Sequence, residues 1–380
     1  MQATQRTRRT APSATLSINE LATTVEAEGH DVIDLSLGQP DFPTPQHIVD
    51  AGKEAIDDGH TGYPPAQGIE PLREAIADRL RDNGLVCKPD EIIVTPGAKQ
   101  AVFEAVQTLV DPGDEVALLD PAWVSYEPMV SLAGGVTTRV DLTNHGFQLE
   151  PALDDLAEAV SDETAVLVLN TPCNPSGAVF SRRALAGVRD LAVEHDISII
   201  SDEIYDRITY DAGHISPASM DGLVDRTVTV NGFSKSYSMT GWRLGYLCAP
   251  EPVVTEAMKV QAHSVSCAPN FVQHAGVEAL RGSDDAIGEM RSTLRERRDV
   301  IVGAFDERGV DIEATDGAFY LLVPTHGHDE WAKTALREAH VATVPGEAFG
   351  TPEYARISYA NSADRLVEAV DRLADAGLLA

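Results

Sequence analysis

Between Glu91 and Cys248 the chain repeatedly presents short apolar runs that end in turn-forming residues, and this rhythm limits the fold more than any other feature of the sequence. Glu91–Thr95, Glu115–Leu119, Gly135–Val140, Ala165–Asn170, Ile197–Ser201, Thr227–Val230 and Gly245–Cys248 read as strands. Helical periodicity falls between or after them at Lys99–Leu109, Leu153–Val160, Arg183–His195 and Phe271–Leu280. Strands alternating with helices predict an α/β fold with a mostly parallel, helix-covered sheet. After Arg281 the pattern changes to a long charged helical stretch, roughly Asp284–Glu307, followed by Ile312–Val323, Trp331–His340, Tyr354–Tyr359 and Asp364–Ala376. This predicts a large domain over 46–283 and a smaller α+β domain made of 1–45 and 284–380.

In open α/β sheets ligands lie at the carboxyl ends of the strands, so the residues that follow each strand are the candidates for chemistry. Behind Glu91–Thr95 stands Pro96-Gly-Ala-Lys99, opening a helix whose free N–H groups and positive dipole end suit a phosphate. Behind Ala165–Asn170 stands Thr171-Pro-Cys-Asn-Pro-Ser-Gly177, a turn that presents the Asn174 amide. Behind Ile197–Ser201 stands Asp202-Glu-Ile-Tyr205, placing a carboxylate where burial requires a cation opposite it. Behind Thr227–Val230 come Ser234, Lys235 and Arg243. An amine so close to a hydroxyl and a guanidinium suits an aldehyde cofactor held by its carbon and by its phosphate, which is pyridoxal 5′-phosphate.

Charge and composition narrow the partners. The 380 residues carry 29 Lys+Arg against 60 Asp+Glu, a formal net charge of −31, spread along the chain. Such a surface repels nucleic acid and anionic lipid, and its distribution resembles that of proteins adapted to concentrated salt. Only six residues are lysines: Lys53, Lys88, Lys99, Lys235, Lys259 and Lys333. No apolar run approaches the ~18 residues of a spanning helix. Cys87, Cys173, Cys248 and Cys267 are widely separated and contain no C-x-x-C pair, which fits a reducing cytoplasm and argues against zinc or a disulfide framework. Arg8-Arg9 is followed by Ser, Thr, Asn and Glu rather than an apolar segment, so residues 1–12 read as an arm and not as an export signal. His326-Gly-His-Asp329 reads as a solvated turn and not as a metal site.

Taken in order, Pro12-Ser-Ala-Thr-Leu16, Leu37-Gly-Gln-Pro-Asp-Phe42, Gly62-Tyr63, Thr95-Pro-Gly-Ala-Lys-Gln100, Pro121-Ala-Trp-Val-Ser-Tyr126, Asn174-Pro-Ser-Gly177, Ser201-Asp-Glu-Ile-Tyr205, Ser234-Lys235 and Arg356-Ile-Ser-Tyr-Ala360 resemble the class I aminotransferases of the fold type I pyridoxal-phosphate enzymes. Within them the resemblance is to the bacterial and archaeal branch of aspartate aminotransferases. It implies that Lys235 binds the cofactor aldehyde and later carries the proton between substrate and cofactor. It implies that Asp202 faces the pyridine nitrogen, that Asn174 and Tyr205 hydrogen-bond the ring oxygen, and that Trp123 stacks on the ring. The phosphate falls to Gly97, Ala98, Lys99, Ser234 and Arg243, joined by Tyr63 of a neighbouring subunit, which makes the enzyme a homodimer with shared sites. Arg356 clamps the substrate α-carboxylate, with Asn174, Trp123 and the Gly38 backbone beside it.

Donor identity is read from less. One branch uses an arginine after the cofactor lysine for the distal carboxylate, and Leu244–Leu280 contains none. The other branch places a lysine after the phosphate-loop glycines, where this chain has Lys99, with Ala98 in place of a second glycine. Thr15 matches a segment that closes over the ligand there, or else caps a helix over Leu16–Val25. Aspartate or glutamate therefore leads as donor, with a 2-oxo acid such as 2-oxoglutarate or oxaloacetate as acceptor. An alanine or aromatic donor, a prephenate acceptor, a β-lyase on the same fold and a non-catalytic ligand-sensing domain stay open.

Overall fold

The structure is a computed structural model and describes residues 3, 4, 7, 8, 10, 14–328 and 330–379. Most of the arm at residues 1–12, Ser13 and Asp329 of the His326–Asp329 turn therefore lie outside the described residues. From the N-terminus, helix α1 (Ala14–Ala27) leads to the short strand β1 (Ile33–Asp34), then to helices α2 (Gln46–Asp57) and α3 (Glu70–Asp82). The central run follows as β2 (Ile92–Thr95), α4 (Ala98–Leu109), β3 (Glu115–Asp120), α5 (Tyr126–Ala133), β4 (Val136–Asp141), α6 (Leu153–Ala159), β5 (Thr164–Asn170), α7 (Arg182–Glu194), β6 (Ser198–Asp202), β7 (Thr227–Gly232) and β8 (Gly245–Cys248). Helices α8 (Glu251–Ser264), α9 (Asn270–Arg281) and α10 (Asp285–Asp306) come next. The chain ends with β9 (Tyr320–Pro324), α11 (Trp331–Glu338), β10 (Val341–Ala342), β11 (Val344–Pro345), β12 (Tyr354–Ser358) and α12 (Ala363–Asp375).

Strands β2 to β8 form one seven-stranded sheet in the order β2-β8-β7-β6-β5-β3-β4. The pairs among β3, β4, β5, β6 and β7 are parallel, whereas β8 runs antiparallel to both β7 and β2. The continuous apolar runs follow from this arrangement, because helices cover both faces. Val116, Leu118, Val166, Val168, Ile200 and Val228 point into one core with α4, α5 and α8. The alternate residues Ala117, Leu119, Leu167, Leu169 and Ile199 point into the other with α6 and α7. Helix α7 shows the local logic: the Ser181 hydroxyl caps the Ala184 amide at 3.0 Å, and Ala184, Leu185, Val188 and Ala192 bury one stripe.

A second body carries the antiparallel sheet β11-β12-β9 and the parallel pair β1-β10. The N-terminal segment joins it through Ile33 beside Val341 and through Ile18, Ala22 and Val25, which pack with Leu336 and Ala342. Long-range links tie this body to the large sheet beside the cleft. The Ala122 amide donates to the Phe349 carbonyl at 2.9 Å, and Gly350 packs against the Asp120–Arg139 pair of the large sheet, where an added Cβ would lie 2.5 Å from the Asp120 carboxylate.

Sequence expectation and structure differ in places that have physical reasons. Within Ile312–Val323 only Tyr320 onward is strand, because Arg298 ties down the Thr315 carbonyl and the Gly317 amide turns away to Gly177. Helix α1 starts at Ala14, so Thr15 lies inside its first turn rather than ahead of it, and its side chain is outside the described residues. Helices α3, α5 and α8 carry too weak an apolar stripe to stand out by periodicity, whereas α2 has a clear one, with Ile48, Gly52 and Ala55 buried, that the strand-and-helix rhythm beginning at Glu91 does not reach. Among the described residues no helix is long and apolar enough to cross a membrane.

Candidate active site

The carboxyl ends of β2, β5, β6 and β7 open onto a cleft of about 1150 Å³ between the two bodies. Gly38, Ala98, Lys99, Trp123, Asn174, Asp202, Tyr205, Ser234, Lys235, Arg243 and Arg356 all line it. The structure thus brings these expected residues together, and Gly97 abuts them at the N-terminus of α4. It does not bring Tyr63, which follows α2 and stands 93% exposed away from the cleft.

Two close approaches shape the phosphate end. Gly97 caps α4 with φ +88°, and a Cβ there would come within 2.5 Å of the Arg243 guanidinium. Gly245 opens β8 directly beneath, where a Cβ would lie 2.3 Å from the Ala98 amide nitrogen. No side chain fits between the helix start and the strand, so the amides of Ala98 and Lys99 are held against the cleft. Arg243 rests on the Thr240 carbonyl at 2.9 Å, and neither it nor Lys99 has a carboxylate partner among the described residues. In a chain of net charge −31, unpaired neighbouring cations mark a place built for an anion. Burial, and then the nearby Arg243, push the Lys99 pKa below its ordinary value. Its ammonium sits 4.9 Å from the centre of the Trp123 ring.

The middle of the cleft holds the titratable groups. Asp202, at the end of β6, is 5% exposed, and burial raises its pKa from 3.8 to about 6. Its Oδ2 accepts from the Tyr126 hydroxyl at 2.8 Å and its Oδ1 from the Ile204 amide at 3.2 Å, yet no cation pairs with it directly among the described residues. Asn170 steadies both neighbours, donating to the Asp202 carbonyl at 2.9 Å and accepting from the Asn174 amide at 2.8 Å. Lys235 donates to the Gly38 carbonyl. Burial first, then the positive field of Arg356, hold its pKa down at about 8.

Arg356 projects from β12 and is buried. It donates to the Ser36 carbonyl at 2.6 Å and to Asn174 Oδ1 at 3.0 Å, while its Nε has no partner among the described residues. The guanidinium lies 4.5 Å from the Tyr320 ring centre and 5.3 Å from that of Phe349. A buried guanidinium with a free N–H is set to receive a carboxylate.

These features fit pyridoxal 5′-phosphate and its substrates: an anion cradle, an amine with a depressed pKa, a buried carboxylate awaiting a cation, and a second anion site at Arg356. No group of three or more His, Cys, Asp or Glu side chains among the described residues is placed to hold a metal ion. Sequence reasoning assigned nothing to Tyr126, Tyr320, Asn170 or Gly245. Tyr126 ends the segment Pro121–Tyr126, but the contact that gives it a role is to Asp202, 76 positions away on another strand.

The family model for aminotransferase class I and II matches residues 30–373. The aspartate aminotransferase of Bacillus subtilis is 39% identical over 387 residues, covering 98% of each chain. The aspartate/prephenate aminotransferase of Thermus thermophilus is 41% identical over 371 residues, covering 96% of this chain and 95% of that one. Among solved structures, the Thermus thermophilus aspartate aminotransferase with maleate superposes with a TM-score of 0.95 at 39% identity, over 99% of this chain and 100% of that one. The aromatic aminotransferase of Pyrococcus horikoshii gives 0.88 at 40% identity, over 94% and 100% of the respective chains. With the fold, the cleft and the full-length likeness in agreement, this chain belongs to the class I and II aminotransferases and is a pyridoxal-phosphate-dependent enzyme of that family.

Proposed function

We propose that the enzyme moves the amino group of aspartate or glutamate to a 2-oxo acid such as 2-oxoglutarate. The observation that carries this reading is a pair of cations in one cleft: Arg356 with its unpartnered Nε, and Lys99 with no carboxylate to neutralise it among the described residues. A dicarboxylate satisfies both, whereas a neutral side chain leaves Lys99 unpaired. The names of the relatives support the same donor.

When bound, pyridoxal 5′-phosphate supplies an aldehyde carbon for amines and an electron sink for the charge left by α-proton removal. The chain's own groups do the rest. Gly97, Ala98, Lys99, Ser234 and Arg243 hold the phosphate, and Trp123 covers one face of the ring. Asp202 keeps the ring nitrogen protonated, and Tyr126 orients Asp202 through its 2.8 Å hydrogen bond. Asn174 and Tyr205 hold the ring oxygen. Lys235, whose pKa of about 8 leaves a fraction of its Nζ neutral at physiological pH, takes the substrate α-proton and returns it. Arg356, with the Gly38 backbone beside it, fixes the α-carboxylate, and Thr15, in the first turn of α1, belongs to the segment that closes over the ligand.

We read the protein as a cytoplasmic homodimer, with residues 46–283 and 1–45 plus 284–380 as its domains and its acidic surface as an adaptation to salt. The exposed Tyr63 supports the dimer, since its hydroxyl is free to reach a neighbouring site. Aromatic donors are the second reading, favoured by the size of the cleft, and the same space admits prephenate as acceptor. The test is a panel of donors and acceptors in concentrated salt, with Lys99→Ala beside the wild type. The ratio of kcat/KM for aspartate to that for alanine should fall roughly 10- to 100-fold, the worth of one charge-assisted hydrogen bond. An unchanged ratio removes Lys99 from recognition, and retained turnover in Lys235→Ala removes the mechanism.

A further inference from the structure

Contacts from separate parts of the cleft converge on Tyr320, the first residue of β9, which lies outside every strand-end motif. Its hydroxyl is 2.9 Å from that of Tyr205, and both side chains are buried. Its ring lies beneath the Arg356 guanidinium at 4.5 Å. A Cβ on Gly38 would sit 3.1 Å from the Tyr320 hydroxyl, which therefore fills the space beside the backbone that receives Lys235.

We propose that Tyr320 is a positioning residue for both anchors of the site: its hydroxyl turns the Tyr205 O–H toward the cofactor ring oxygen, and its ring fixes the plane of Arg356. The inference rests on the roles given above to Tyr205 and Arg356. Each phenol carries one proton, and a single O–H lies between the two oxygens. Tyr205 donates outward only when Tyr320 donates into the Tyr205 oxygen, and a hydroxyl that accepts a hydrogen bond is the stronger donor. Burial raises the pKa of both phenols, so both protons stay in place at neutral pH. Arg356, Asp202 and Lys235 are the charged groups around the pair.

The bond from Tyr205 stabilises the deprotonated ring oxygen, so weakening it makes that oxygen hold its proton to higher pH. Tyr320→Phe keeps the ring under Arg356 and removes only the hydroxyl. In the holoenzyme, the pH midpoint of the visible absorption change should rise by roughly half a unit, about a threefold change in proton affinity, with KM for aspartate within about twofold of wild type. In a Tyr205→Phe background the same substitution should add no further rise. Tyr320→Leu, which removes the ring as well, should raise KM for aspartate roughly tenfold. An unchanged midpoint in Tyr320→Phe, or an equal rise in both backgrounds, overturns the hydroxyl role and leaves the cofactor reading standing. An unchanged KM in Tyr320→Leu overturns the ring role. A wild-type protein that shows no visible band with the cofactor overturns the cofactor reading and the proposal with it.

Discussion

Replacing Asp202 with asparagine separates the energetic burden of this carboxylate from its work in the site. Burial lifts its pKa from 3.8 to about 6 in the folded protein, whereas the unfolded chain restores the ordinary value. Between pH 3.8 and 6 the folded state holds a proton that the unfolded state has released, so stability falls as pH rises through that window. The penalty is absent below the window and complete above it. A shift of about two units at ~1.4 kcal/mol each amounts to about 3 kcal/mol. An amide keeps an oxygen for the Ile204 amide and an N–H for Tyr126, and has no charge to desolvate. Cofactor-free Asp202→Asn should therefore be more stable than cofactor-free wild type by about 2–3 kcal/mol at pH 7.5 and nearly equal to it at pH 4. Calorimetric melting at the two pH values in matched salt reads the difference as a Tm rise of a few degrees at pH 7.5. Turnover of the same variant should drop by roughly two orders of magnitude, because no carboxylate faces the ring nitrogen. A variant that gains nothing at pH 7.5, or gains equally at both pH values, refutes the reasoning.

Gly245→Ala should cost the protein its cofactor, since the new methyl would overlap the Ala98 amide; equilibrium dialysis against pyridoxal 5′-phosphate gives the affinity, and a wild-type value would show that the cradle yields. Neutral Lys235 is the form that attacks an aldehyde, so the rate of reconstituting the cofactor-free enzyme should climb with pH and level off above about 8; a stopped-flow rate still climbing about tenfold per pH unit at pH 9 would contradict the depressed lysine. With a net charge of −31, Tm should rise steeply as KCl is raised from about 0.1 M to 1 M, over which the screening length shrinks from ~10 to ~3 Å. A salt-independent Tm would mean that the acidic surface does not destabilise the fold at low salt.

Much of the large sheet is legible because both of its faces are buried. Strands such as Thr164–Asn170 are then near-continuous apolar runs, and the residue beyond each end becomes a site candidate by position alone. That logic reaches Asn174, Asp202 and Lys235, which stand at or just beyond the ends of adjacent strands. It does not reach Tyr126 or Tyr320, whose parts depend on hydrogen bonds to residues 76 and 115 positions away. Nor does it find Gly245, because a glycine at a strand start looks ordinary until the helix packed on it is known. Helices α3 and α8 escape local reading for a related reason: what orders them is packing, of α3 against α9 and of α8 against α4, which no local pattern encodes.

The hydrogen bond from Ala122 to the Phe349 carbonyl joins two bodies that, on the proposed reading, carry different halves of substrate recognition. Arg356 is fixed in the three-stranded sheet with the Phe349 ring against it, while Lys99 is fixed at the rim of the seven-stranded sheet. The span between the two cations is thus a caliper opening, set by how the bodies meet and not by either one alone. Substitutions along residues 346–350 would reset that opening and change which length of dicarboxylate fits, with every charged residue of the cleft left in place. With recognition divided as proposed, donor range becomes a property of a seam.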